Sequence, residues 1–388
     1  MTAQLDELER AAPRPGTEPR ARPRIDFKQL WRPTVFFVAS RIVVVFAFVA
    51  AAAAHPKLSF HNAASKWDGG FYFHIANLGY PNYVPPVKSV LAFFPGYPLL
   101  IRWVEHLFGI HAYTASGIVV FVFGLIGTCG VWFLTRELSD VDSADRATLL
   151  FAFSPGSFVL SMAYTEAVFV VFAVGTCWAL VRRRWVTAGI IGACAAATRP
   201  DGLALVLAAA GAAYVAIRTR NEWRALLAIV ISAGGFVAVQ IYFWAHTGDA
   251  LAFFHAERNG WHQGTTFVGT EVADIRAIVR AANRGGAPDW NHIVTLAGFV
   301  LFVGVVVALI RWRPPVELIL FAVGMGFFAF ISTRVGFRPR TFLAAFPLSM
   351  VLGVKLRRSP WFGLALAMSA ALLVLLAFVT AATFYVTP

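Results

Sequence analysis

The sequence predicts an all-α polytopic membrane protein, and three observations carry that reading. Of 388 residues, 59% are hydrophobic and only 14% charged. With a mean hydropathy of +0.68, this composition suits a bilayer and excludes an ordinary soluble domain. Apolar stretches of membrane length recur from residue 33 almost to the C-terminus, judged against the roughly 20 residues a helix needs to cross. Lys and Arg collect in alternate short loops, as the topology of a multi-pass protein demands. The net charge of +13 therefore reads as membrane orientation, with no nucleic-acid partner implied.

Residues 1–32, rich in Arg, Pro, Ala and Glu, lack apolar periodicity and are expected to form a disordered basic cytoplasmic tail. Residues 33–388 form one membrane domain. Its expected spans are 33–54, 113–135, 147–163, 164–181, 185–199, 202–217, 225–246, 292–310, 316–332, 342–354 and 361–384, about eleven helices in all. The first run is longer than a signal-peptide core and is read as a retained span. Stretch 91–110 is apolar too, but Pro95, Pro98, Arg102 and Glu105 interrupt it, which predicts a membrane-surface or re-entrant helix. Cys129, Cys177 and Cys194 lie inside apolar runs without metal-ligand spacing and read as small core residues.

With a cytoplasmic N-terminus, 20 of the 33 Lys and Arg lie in the tail and the inner loops, 12 lie outside, and Arg41 falls within the first span. The two longest loops, 55–112 and 247–291, then share the outer face. A single site between them follows. Arg41, near the middle of its helix, is expected to find an acidic or carbonyl partner because an unpaired charge there is costly.

The chemistry concentrates in SKWDGGFYFHIANLGY (Ser65 to Tyr80). Asp68 precedes a short predicted helix, where its carboxylate either caps the helix or serves as a general base toward an acceptor hydroxyl. Trp67, Tyr72 and Tyr80 offer flat surfaces for a sugar ring, and His74 adds a further polar contact. No DxD pair near this acid, no HExxH and no Walker loop occurs, so neither a metal nor a nucleotide cofactor is expected.

Several segments in chain order resemble the PIG-V-like mannosyltransferases of the GT-C class of membrane glycosyltransferases. They are WDGGFYFHIANLGY, AFFPGYPLLIR (Ala92 to Arg102), SMAYTEAVF (Ser161 to Phe169), ATRPDGLAL (Ala197 to Leu205), GDALAFFHAERNGWHQ (Gly248 to Gln263) and FRPRTFLAAFPLSM (Phe337 to Met350). The resemblance departs at Thr341, where an aromatic is expected. It implies a GT-C-like fold, Asp68 as the catalytic residue, and transfer of mannose from a polyprenyl-phosphate-mannose donor to an envelope glycolipid, glycan or protein. The leaving group would be a lipid phosphate, which needs cations more than a proton donor. Arg338 and Arg340 are the leading candidates to hold it, with Arg199 beside them.

Glu166, at the outer end of a helix, either positions substrate or holds an arginine. Arg199 either meets the phosphate or pairs locally with Asp201. Glu257 and Trp261 sit in a polar-aromatic cluster with Arg258 and His262, read as substrate contacts or as an interfacial anchor. The competing function class is a transporter or lipid flippase, which would show related halves and polar groups at mid-depth. No internal repeat is evident, and the acids gather at one face. A GT-C enzyme with a different lipid-linked sugar is the third reading. The composition points to a bacterial plasma membrane, with the active site on its outer face.

Overall fold

The computed structural model describes residues 27–55, 58–267, 269–287, 289–333 and 336–383. The expected disorder of the tail concerns residues that are largely outside this set. Phe27–Leu30 is a short 3-10 turn and the first long helix begins at Trp31, ahead of Pro33. Proline is tolerated there because the first helical turn has no partner for its missing N–H.

Seventeen α-helices follow among the described residues, with no strand beyond an isolated bridge. They are α1 (Trp31–Ala54), α2 (Phe60–Ser65), α3 (Gly69–Leu78), α4 (Gly96–Phe108), α5 (Ala112–Leu138), α6 (Val141–Ala152), α7 (Glu166–Val181), α8 (Trp185–Thr198) and α9 (Ala204–Arg220). Then come α10 (Leu226–Thr247), α11 (Ala252–His255), α12 (Gly269–Asn283), α13 (Trp290–Trp312), α14 (Val316–Ile331), α15 (Pro339–Ala344), α16 (Pro347–Lys355) and α17 (Phe362–Ala382).

Helices α1, α5, α9, α10, α13 and α17 are long and apolar enough to cross a membrane, and α7, α8 and α14 are shorter apolar helices. The remaining two expected spans are divided differently. Stretch 147–163 breaks after α6 at Ser154-Pro155-Gly156 and continues as a 3-10 turn, Ser157–Ser161. Stretch 342–354 becomes the pair α15 and α16, each started by a proline at its first turn. Helix α4 lies in the interrupted stretch 91–110. It buries Tyr97, Ile101 and Val104 while exposing Leu99, Trp103 and Leu107, the pattern of a helix lying along an interface.

Small residues let the helices approach closely. A Cβ on Gly235 of α10 would fall 1.9 Å from the Ala193 carbonyl oxygen of α8. Arg41 is buried in α1, where its guanidinium donates to the carbonyls of Ser157 (2.5 Å) and Ala152 (3.1 Å) and to the hydroxyls of Ser157 and Ser161. Ala152 ends α6 and Ser157 opens the 3-10 turn that follows, so the arginine serves carbonyls on both sides of the break, with the Ser157 hydroxyl as a second donor to Ala152 at 2.6 Å. The cysteines are free; Cys194 is exposed on α8 and is not a core residue.

Candidate active site

The turn Arg182–Arg184 reverses the chain between α7 and α8, bringing the first residue of α7 and the residue after α8 to one end of the bundle. The former is Glu166 and the latter Arg199. Each charge suits its place, since helix N-termini favour anions and C-termini favour cations. Glu166 is fully buried, and Arg199 donates to it at 2.5 Å. Arg199 also grips Asp201 with two parallel bonds, of 2.8 and 2.7 Å. The local pairing with Asp201 is thus realised, and Glu166 is an arginine-holding group.

Arg340 enters from the far end of the chain. Pro339 starts α15, and Arg340 follows it with its guanidinium over the Tyr164 ring at 5.8 Å. Its Nη1 donates to Asp68 Oδ2 at 3.3 Å and lies 3.9 Å from Glu166 Oε1. Gly156 sets the position of this backbone. A Cβ there would stand 2.2 Å from the Pro339 carbonyl oxygen and 2.7 Å from the Arg340 nitrogen. An alternating chain of charge results: Asp201, Arg199, Glu166, Arg340, Asp68.

Asp68 occupies the residue before α3 but makes no side-chain capping bond. The capping alternative is therefore not realised; the carboxylate turns to Arg340 instead. Its backbone N–H donates to the Tyr164 hydroxyl at 3.4 Å. Trp67 beside it takes φ 66°, a left-handed conformation that a bulky side chain rarely adopts and that stores strain next to the acid. Burial pushes the Asp68 carboxyl up, opposed by Arg340 and reinforced by the negative charge of Glu166.

These groups line a cavity of about 920 Å³. Asp68, Tyr72, Glu166's partners Arg199 and Arg340, and Thr341 form one wall. The loop after α10 also lines the cavity, through a π-helical turn, Ala256–Gly260, that contributes Glu257 and Arg258. Such turns often mark functional positions. Burial, then the negative charge of Asp68, push the Glu257 carboxyl up to about 7. This loop is tied to the first long loop: the Lys88 N–H donates to the Gly260 carbonyl at 3.0 Å and the Trp261 indole to the Ser89 carbonyl at 2.9 Å. On its other side Gln263 donates to Ser332 at 2.6 Å. The two long loops are thus hydrogen-bonded to each other.

Residues 37–247, more than half of the chain, match the model of a family described as mannosyltransferase (PIG-V). The chain belongs to the mannosyltransferase (PIG-V) family. Its fold is similar to that of ArnT from Cupriavidus metallidurans bound to undecaprenyl phosphate, at 15% identity and a TM-score of 0.53 over 84% of this chain and 60% of that one. ArnT from the same organism in the apo state gives 17% and 0.52 over 85% and 60%. The oligosaccharyltransferase of Archaeoglobus fulgidus in the apo form gives 15% and 0.51 over 92% and 57%. The chain thus spans 57–60% of the length of these proteins. No curated protein sequence matches it. The likeness establishes the fold: an all-helical GT-C-like chain with, among the described residues, six helices long and apolar enough to cross a membrane.

Within this mannosyltransferase-family fold, the remaining sequence candidates scatter. Arg338 precedes α15 and donates to Asn291 at 2.8 Å, outside the residues lining the large cavity. Burial, then the neighbouring Arg340 charge, lower its guanidinium to about 10. Trp67 directs its indole N–H toward the Thr380 carbonyl of α17 at 3.5 Å, Tyr80 donates to the Phe93 carbonyl at 2.7 Å, and Trp261 packs edge-on against Phe71 and Phe93. None of the three lines the large cavity. His74 borders a separate cleft of about 530 Å³ with Phe71 and Lys88. Arg258, outside the phosphate candidates read from the sequence, lines the large cavity. It is exposed on the cavity wall and has no ion-pair partner among the described residues.

Proposed function

We propose that the protein transfers mannose from a polyprenyl-phosphate-mannose donor to an envelope acceptor on the outer face of the membrane, with inversion at the sugar carbon. The observation that carries this reading is the contact of Asp68 with Arg340 at the wall of a large cavity. It puts a base and a phosphate-seeking cation within one sugar's reach of each other. In the reaction, Asp68 takes the proton from the acceptor hydroxyl as its oxygen bonds to the sugar's anomeric carbon. The bond from that carbon to the phosphate oxygen breaks, and the electron pair leaves with the lipid phosphate. Arg340, and Arg258 from the same cavity, receive the charge.

Arg199 is better read as a positioning residue, because three bonds of 2.5–2.8 Å to Asp201 and Glu166 engage its guanidinium, whereas Arg340 makes, among the described residues, a single bond of 3.3 Å to Asp68. Tyr72 and Glu257 line the space where the sugar would lie. The undecaprenyl phosphate held by the similarly folded ArnT supports a prenyl-phosphate carrier. The test is Asp68→Asn in purified, reconstituted protein given polyprenyl-phosphate mannose and a panel of envelope acceptors, with products identified by mass. Loss of transfer by about 100-fold or more is expected of a missing general base. Transfer at the wild-type rate would remove Asp68 from that role, and a product carrying another sugar would correct the donor.

A further inference from the structure

Helix α12, in the loop that supplies Glu257 and Arg258, is arranged inside out. It buries its two acids, Glu271 and Asp274, and exposes Val272, Ile275 and Val279. Asp274 pairs with His292 at the start of α13 at 2.6 Å. At 100° per residue the helix divides into three sectors. Glu271, Asp274, Ile278 and Ala281 face the protein. Val272, Ile275 and Val279 form a stripe beside them, and Arg276, Arg280 and Arg284 form a second exposed stripe next to that, with no carboxylate in either. Water would reject this layout, since it wets branched side chains and shields carboxylates.

A bilayer surface accepts it. An apolar stripe sinks below the headgroups while long cations beside it reach up to lipid phosphates. The flanking residues fit that depth: Phe267 ahead of the helix is exposed, and so is Trp290, the first residue of the membrane-length helix α13. Tryptophan favours the headgroup level. We propose that α12 is a membrane-surface helix that seats Val272, Ile275 and Val279 in the acyl region and holds anionic phospholipid headgroups on Arg276, Arg280 and Arg284. The charge complement chooses the occupant: three arginines without an exposed acid fit an anionic lipid surface. The proposal stands apart from the catalytic reading, as it needs only that the chain resides in a membrane.

The test places a nitroxide at Val279 (V279C) in full-length protein whose three native cysteines are replaced, reconstituted in phosphatidylcholine vesicles with or without phosphatidylglycerol. Collision with oxygen is compared with collision with a water-soluble nickel chelate. The label should favour oxygen several-fold over a label at Ala287, and sit deeper when phosphatidylglycerol is present. The triple change R276Q, R280Q, R284Q should abolish that lipid dependence. Free access of nickel at Val279, exclusion of both quenchers as in a protein contact, or indifference to phosphatidylglycerol would each overturn the proposal. Wild-type protein gives an independent check with phosphatidylglycerol carrying a photoreactive group: crosslinks should fall on the 269–283 peptide. Crosslinks confined to the membrane-crossing helices would refute it.

Discussion

Arg340→Gln is the sharpest perturbation of the site, because one side chain serves two carboxylates. At 3.3 Å from Asp68, a pair in an effective dielectric of about 20 attracts by about 5 kcal/mol before solvation is counted. The side chains are 19% and 28% exposed, so screening and the desolvation already incurred reduce the net to about 1–3 kcal/mol. In the transition state the same guanidinium faces a departing phosphate. Losing one such preorganised donor costs about 100- to 1000-fold in turnover. The pH profile supplies a second signature. The base works only when ionised, and Arg340 lowers the Asp68 carboxyl against the effect of burial. Removing the cation therefore raises it, and the acid limb of the rate profile moves to higher pH. The assay is single-turnover transfer in vesicles from pH 5 upward, beside a melting curve to confirm the fold. Arg340→Lys should recover part of the rate as a point charge without the fork. If Arg340→Gln keeps the wild-type fold and turns over within about threefold of wild type, the charge-stabilising role assigned by analogy with oxyanion sites is refuted.

Glu166→Gln should shift the acid limb the opposite way, to lower pH, because the negative charge of Glu166 raises Asp68; an unmoved profile would show the two carboxylates to be uncoupled. Glu257→Gln should erase an inflection near the value of about 7 to which burial pushes that carboxyl, read in kcat/KM against pH. Gly156→Ala should lower transfer strongly while the protein still inserts, since the added methyl displaces the Pro339–Arg340 backbone; rates equal to wild type would show that this contact yields. Arg41→Leu removes the guanidinium bonds to the Ser157 and Ala152 carbonyls, leaving Ala152 only the Ser157 hydroxyl, and should destabilise by about 1–3 kcal/mol in thermal melts.

The long helices were legible because twenty apolar residues in a row have few other solutions. The breaks inside 147–163 and 342–354 were less so: prolines mark them, but whether a proline kinks, ends or starts a helix depends on which carbonyl finds a new donor. For the first break that donor is Arg41, more than a hundred residues away. Asp68 and Arg340 stood out as rare charges in aromatic surroundings, and the structure brings them into contact. Arg338 carried the same signal and went to Asn291, since two arginines separated by one proline point in different directions once the helix starts. Trp67, Tyr80 and Trp261 looked like sugar platforms, yet each directs its polar tip at a backbone carbonyl. Which carbonyls need a donor is a property of the tertiary structure. Arg258 carried no such signal, since Glu257 precedes it directly and suggests a local pair; only the fold shows that the two side chains form no ion pair among the described residues.

The five alternating charges from Asp201 to Asp68 join pieces of chain that are remote in sequence: the ends of α7 and α8, the start of α15 and the residue ahead of α3. A joint of this kind makes toughness and speed inseparable. Variants chosen for surviving detergent and heat will tend to lock these contacts, and variants chosen for rapid turnover will tend to loosen them. Engineering for either goal draws on the same handful of side chains.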